Sequence, residues 1–316
     1  MTSQSPASPH QPKQDASLLA ATMALSWHMT GFMASVDLAG RLEVYALTSI
    51  PQNRFQATKT AYQRAVHGFI EALEMHPTEP WLLISQSSLL VLVDLDDGTE
   101  QPIVSPGHNI ADYSSWTWSR MHGETVLFGA RAGSVDALSV AKGREINSRG
   151  LVFKDSSPIS RIVKMRCSGD GKYVAVLVVD GVSTRNDPML LVYRSSAEIV
   201  TRDCQAGHVT QIDPILALPS YKFKTFYGFH GDHIIFLDRD RWVWAVDLKQ
   251  AEKGTALESN VKRYFFIPRE FIGGNNGVDG VVTAAGTIAF PKDGELAVGS
   301  FALDWPYKGT DLIANC

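Results

Sequence analysis

Ser139-Val-Ala-Lys142 has the S-x-x-K spacing of acyl-transferring serine enzymes, in which the start of a helix holds a nucleophilic hydroxyl against its base. Here the tetrapeptide follows an alternating apolar run and reads as a turn, so nothing would hold the two side chains together. No G-x-S-x-G elbow offers another nucleophile. The three cysteines, Cys167, Cys204 and Cys316, lack the neighbouring histidine or helix start that would stabilise a thiolate. Nucleophilic catalysis therefore has no candidate residue.

Metal chemistry fares no better. His230 and His233 flank the turn Gly231-Asp232, close enough to share an ion, but no third ligand can be identified. Asp94, Asp96 and Asp97 begin like a calcium loop, yet Gly98 falls where the D-x-[DN]-x-[DN]-G pattern needs another residue. Asp97-Gly98 reads instead as a hairpin turn. The reading is no enzyme, no metal site and no cofactor.

The elements that carry these residues are short and of one kind. Apolar or alternating runs bounded by Gly, Asp, Asn and Pro recur along the chain, and helical periodicity is scarce. The clearest unit starts at Phe69: IEALEMHP, a Thr-Glu-Pro turn, WLLIS, a Gln-Ser-Ser turn, LLVLVDL, an Asp-Asp-Gly turn and EQPIV. It predicts a four-stranded antiparallel meander. Ends comparable to that of its third strand recur at Tyr45, Asp94, Leu138, Tyr193, Asp247 and Val298, spaced 44 to 55 residues apart. That period fits the blade of a β-propeller, whose single sheet cannot bury both faces until neighbours stack on it. Fourth strands are expected at EQPIV, REINS, EIVTR and VKRYFFIP.

Gly107-His108 and Gly207-His208 sit where a connection should lead into a new first strand, and Asp94 and Asp247 stand where the WD dipeptide would. The predicted fold is all-β, a WD40-like propeller of about six, or seven, four-stranded blades over residues 17–303. Residues 1–16 are a polar tail too poor in apolar surface to order, and 304–316 are a tail or closing strand. One cooperative unit is expected, because no blade can satisfy its sheet faces alone.

Three segments, FYGFHGDHIIFLDRDRWVWAVDL (226–248), VKRYFFIPREF (261–271) and GTIAFPKDGELAVGSF (286–301), resemble the closing repeats of WD40-like regions in fungal NACHT-type proteins, intracellular receptors related to heterokaryon incompatibility. The resemblance implies a partner-sensing propeller attached elsewhere to a nucleotide switch. No G-x-x-x-x-G-K-[ST] loop occurs in this sequence, so the switch itself is not among these residues.

Composition narrows the partners. Net charge is −4, 45% of residues are hydrophobic and 20% charged, and no cationic run exceeds a pair, so nucleic acid is not expected. No apolar run reaches the roughly 18 residues needed to span a membrane. The odd cysteine number, the lack of a C-x-x-C pair and the absence of any N-x-[ST] sequon point to a reducing compartment, the cytoplasm or the nucleus.

A protein partner is expected, on a face the WD40 resemblance defines. The turns between second and third strands, 37–40, 86–88, 131–133, 180–188, 238–241 and 291–294, fall on one surface. Arg41, Arg131, Arg185, Asn186, Asp187, Arg239, Asp240 and Lys292 are its candidate partner-binding residues, since mixed charge steers association and arginine often anchors interfaces. The stretch 180–188 is the longest of these turns. Trp242 and Trp244 share a strand face, as do Trp116 and Trp118, and both pairs are read as core. The competing function is a lactonase- or hydrolase-like propeller enzyme with carboxylates around a central channel. Among the proposed first strands only Glu71 and Glu74 would serve it.

Overall fold

The structure is a computed structural model. It describes residues 22–27, 32–37, 41–50, 54–65, 70–76, 79–86, 88–103, 109–121, 124–131, 134–139, 149–153, 161–179, 188–194, 211–219, 222–254, 260–268, 281–282, 286, 288–292 and 295–299. These form six sheets in chain order, antiparallel throughout except for one added edge strand. Blade 1 holds β1 (Thr22–Trp27), β2 (Phe32–Asp37), β3 (Arg41–Ile50) and β4 (Arg54–Ala65). Blade 2 holds β5 (Ile70–Met75), β6 (Trp81–Gln86), β7 (Leu89–Asp94) and β8 (Glu100–Ile103). Blade 3 holds β9 (Ser115–Met121), β10 (Glu124–Arg131), β11 (Ser134–Ser139) and β12 (Arg149–Phe153). Blade 4 holds β13 (Arg161–Cys167), β14 (Tyr173–Val179) and β15 (Pro188–Arg194). Its chain then adds β16 (Gln211–Ile212) to the edge of blade 3, parallel to β12, before β17 (Leu216–Pro219) completes blade 4. Blade 5 holds β18 (Thr225–His230), β19 (His233–Leu237), β20 (Trp242–Asp247) and β21 (Val261–Phe266). A short helix, α1 (Leu248–Glu252), joins β20 to β21 and is capped by Asp247, whose Oδ1 accepts from the Gln250 amide at 3.2 Å. Blade 6 is described as β22 (Val281–Val282), β23 (Ile288–Lys292) and β24 (Glu295–Gly299).

The first strands touch in sequence, β1 to β5, β5 to β9, β9 to β13, β13 to β18 and β18 to β22, and β22 returns to β1. The sheets thus stand around a closed ring. Four of these strands share one irregularity near their start: the pairing register slips by a residue between Thr22 and Ala24, Ile70 and Ala72, Ile162 and Lys164, and Phe226 and Gly228. A bulge increases local twist, which the crowded inner strands need.

Alternation explains the core. In β6, Leu82 and Ile84 pack toward blade 1 while Leu83 packs toward blade 3, and all three are fully buried. In β14, Val174, Val176 and Val178 face blade 3, and Tyr173 and Ala175 face blade 5. Strands covered on both faces have no reason to alternate with polar residues, which is why WLLIS, LLVLVD and YVAVLVV read as continuous apolar runs. The core is a series of layers between successive blades. Removing a buried leucine from such a layer costs about 2–5 kcal/mol.

Two strand expectations need correction. Blade 4 takes its fourth strand from Leu216–Pro219 rather than from EIVTR (198–202), which lies outside the described residues. Gly207-His208, also outside them, therefore precedes a fourth strand and not a first one, since blade 5 opens only at Thr225. In blade 3, β12 begins at Arg149, past REINS (144–148), which is likewise outside the described residues.

Candidate interaction surface

All six predicted turns join the second and third strands of their blades, so they fall at one end of the antiparallel sheets. Arg41 opens β3 and is half-buried. Arg131 closes β10 and is engaged: its Nε lies 2.8 Å from Oδ2 of the buried Asp136, and its Nη2 donates to Oδ1 at 3.3 Å. The Tyr113 hydroxyl donates to the same carboxylate at 2.7 Å. This places Arg131 in a structural network. Lys292 is the last residue of β23, paired in register with Glu295. Arg185, Asn186 and Asp187 lie outside the described residues, as does Asp293.

The 238–241 turn is built in detail. The Asp238 amide donates to the Trp242 carbonyl at 2.9 Å, and the Arg241 amide donates to the Asp238 carbonyl at 3.2 Å. The Asp238 carboxylate accepts from the Trp242 amide at 2.8 Å and from the Trp244 indole at 2.6 Å. Arg239 and Asp240 are left exposed at the tip. Arg241 closes the turn at φ 71°, the sole non-glycine residue with positive φ among those described. A side chain in that conformation costs about 1 kcal/mol.

Arg241 is also where an arginine–aromatic cluster begins. Its guanidinium lies 4.7 Å from the Phe266 ring centre, and Phe266 meets Trp242 edge to face at 5.7 Å. From β21, Arg263 lies over Trp242 at 4.4 Å and Trp244 at 5.8 Å. Register makes the cluster, since β20 and β21 pair Trp242 with Phe266 and Trp244 with Arg263 across a bulge. Phe266 is 37% exposed, and both tryptophans are half-buried. Trp244 packs against the core layer between blades 4 and 5 while Trp242 lies outside the core layers, and Trp116 and Trp118 are buried between blades 2 and 3. The signal for the cluster was available: R-Y-F-F opposite W-V-W sets cations against indoles once the strands pair.

At the ring centre, Glu74 of β5 forms a hydrogen-bonded ion pair with Arg166 of β13. Burial pushes the Glu74 carboxyl up, against the opposing pull of Arg166 and Lys164. Lys164 donates to the Phe226 carbonyl at 3.1 Å, in blade 5. Of the two carboxylates that a channel enzyme would use, Glu74 is thus committed to an arginine, and the Glu71 side chain lies outside the description. Next to Arg166, burial and the Glu74 charge push the Cys167 thiol up to about 12, outweighing its hydrogen bonds with Ser119 and Thr117. A thiol so placed is not a nucleophile.

His230 and His233 pair across their turn in β18 and β19. Burial, with the Lys262 and His230 charges, holds the His233 imidazole below its ordinary value, despite Asp247 and Asp232. No group of three His, Cys, Asp or Glu that could hold a metal occurs among the described residues. Gly98 has φ 73°, and its amide donates to the Asp94 carbonyl at 2.9 Å, as a tight hairpin turn requires. Ser139 ends β11, and Lys142 lies outside the described residues.

No family model matches the sequence, and no curated protein matches it either. Solved structures do match in fold. The β-propeller domain of Cps50 (Swd1) from Myceliophteria thermophila is 12% identical, with 88% of this chain and 83% of that one covered and a TM-score of 0.52. A chain of the mitotic checkpoint complex is 11% identical over 95% of this chain and 98% of that one, with a TM-score of 0.50. A chain of hydrazine synthase from Kuenenia stuttgartiensis is 12% identical over 90% and 77%, also at 0.50. At these identities the likeness is one of fold alone. Together with the ring of stacked antiparallel sheets, it gives the chain a WD40-like β-propeller fold.

Proposed function

We propose that this propeller, of six blades spanning residues 17–303, is a non-catalytic interaction module, a scaffold or sensor, that docks a protein on the face formed by its second-to-third-strand turns. Arg41, Arg239, Asp240, Lys292 and the 180–188 stretch with Arg185, Asn186 and Asp187 would meet the partner there. The observation that carries the reading is the 238–241 turn. Its backbone and its Asp238 carboxylate are fixed by hydrogen bonds to Trp242 and Trp244, so the exposed charges Arg239 and Asp240 are presented on a rigid mount. A prearranged surface loses less entropy on association. The cytoplasm or nucleus is the proposed location, resting on the cysteine pattern. A tie to the propeller regions of NACHT-type proteins rests on the residues of the last repeats.

The test compares tagged wild-type protein with three variants in the native cell: Arg239→Glu with Asp240→Lys, 182–187 replaced by a short Gly-Ser turn, and Lys172→Ala. Lys172 sits in the β13–β14 turn at the opposite end of the sheets. Co-purifying proteins should be lost with the first two variants and kept with the third, at unchanged thermal stability. Retention with both of the first two would overturn the assignment.

A further inference from the structure

In blades 2 to 6 the last residue of the third strand still pairs with the second strand: Asp94 with Trp81, Ser139 with Val126, Arg194 with Tyr173, Asp247 with His233 and Gly299 with Ile288. Blade 1 departs from this. Pairing between β2 and β3 stops at Phe32 and Ala46, whereas β3 and β4 go on pairing from Leu47 with Ala57 to Ile50 with Arg54. Residues 47–50 and 54–57 therefore project as a two-stranded ribbon at the end of the sheet opposite the second-to-third-strand turns. At about 3.3 Å per residue the ribbon is about 13 Å long. A two-stranded ribbon alone is marginal in water. Among the described residues no strand pairs with 47–50 on the β2 side, and an edge of that kind presents backbone donors and acceptors for another strand.

Leu47-Thr48-Ser49-Ile50 contains no charge and no proline, the residues that commonly keep strand edges apart, whereas β4 carries Arg54 in the ribbon. The stretch is also complementary to itself. Run antiparallel about a two-fold axis, it sets Leu47 against Ile50 and Thr48 against Ser49, an apolar pair and a hydroxyl pair.

We propose that the chain forms a two-fold dimer by pairing the 47–50 edge of β3 with the same edge of a second copy, giving a four-stranded sheet in the order β4-β3-β3-β4. The contact lies at the end of the ring away from Arg239 and Asp240, so the dimer presents two outward-facing copies of the turn face. It does not depend on what that face binds.

Sedimentation equilibrium of the full chain should show the mass rising from monomer to dimer with concentration, and little effect of salt, because the paired edges carry no charge. Thr48→Lys with Ile50→Lys should weaken dimerisation at least about tenfold by placing like charges along the shared edge. Replacing 48–56 by Asn-Gly closes the hairpin directly after Leu47 and Ala57 with a two-residue turn. That variant keeps the part of β3 paired with β2, so it should stay folded and be monomeric. Hydrogen exchange of the 47–50 amides should slow as the wild-type concentration rises. A wild type that stays monomeric at every concentration would overturn the proposal, as would a dimer that survives removal of the ribbon. If the shortened chain does not fold, the exchange measurement decides: rates at 47–50 independent of concentration while the mass doubles would put the dimer contact elsewhere and overturn it.

Discussion

Gly171, in the β13–β14 turn of blade 4, lies so close to Arg120 of β9 that a β-carbon on it would stand 2.2 Å from the Arg120 carbonyl oxygen. Its φ of 73° is also one that side chains avoid. Gly171→Ala should therefore cost about 3 kcal/mol, combining backbone strain with an overpacked contact that the Arg120 side chain cannot relieve by moving. Gly254, at φ 70° with no atom near its missing β-carbon, should lose only about 1 kcal/mol on the same change. Urea denaturation of the two variants measures the difference; equal losses would show that the Arg120 contact is slack.

Asp136 is buried with two partners, the Tyr113 hydroxyl and the Arg131 guanidinium. Asp136→Ala removes the buried carboxylate that Arg131 and Tyr113 both engage and should destabilise the fold by about 3–5 kcal/mol. Tyr113→Phe removes one hydrogen bond and should cost about 1–2 kcal/mol. Chemical denaturation of both variants and of the double mutant would reveal the coupling; additive losses would break the network apart.

Three phenols are held neutral by the fold. Burial leads in each case, aided by Glu43 at Tyr45, Glu100 at Tyr62 and the charges of Glu252 and Asp232 at Tyr173, and each hydroxyl is pushed up to about 12. A raised folded value means that the contribution to stability is complete below the unfolded value of 10.0 and is lost as pH rises through the folded one. Thermal unfolding followed between pH 9 and 12 should show stability falling from about pH 10 upward. Phenolate absorbance that reaches its full amplitude near pH 10 in the folded protein would contradict this.

With its thiol pushed up to about 12, Cys167 should resist iodoacetamide in the folded protein and react once urea unfolds it. Peptide mapping by mass spectrometry isolates this cysteine from the other two. Rapid native labelling of the Cys167 peptide would show that the blade 3–blade 4 layer opens readily.

The sequence made blade 2 almost wholly legible, because IEALEM, WLLIS and LLVLVD are separated by turns of a few residues and pair with their chain neighbours. Blade 4 was opaque at its outer edge. There EIVTR has a strand-like composition, but the edge is filled by Leu216–Pro219 after a connection that first visits blade 3, and local patterning carries no trace of such a detour. The candidate surface was half visible. The turn positions followed from the repeat, whereas the duty of Arg131 depends on Tyr113 and the cluster around Phe266 depends on strand register. Both are settled by pairing between segments far apart or across a bulge, which residue types alone do not encode.

The two-residue strand β16 gives one blade boundary a property the others do not display among the described residues. Elsewhere neighbouring blades meet through side chains, which can slide apart gradually as water enters. Between blades 3 and 4 a backbone strap, with Val152 beside Gln211 and Phe153 beside Ile212, must also be sheared. Under tension the ring is therefore expected to gape at some other seam first, which makes blades 3 and 4 its hinge plate and leaves the remaining boundaries to act as the clasp.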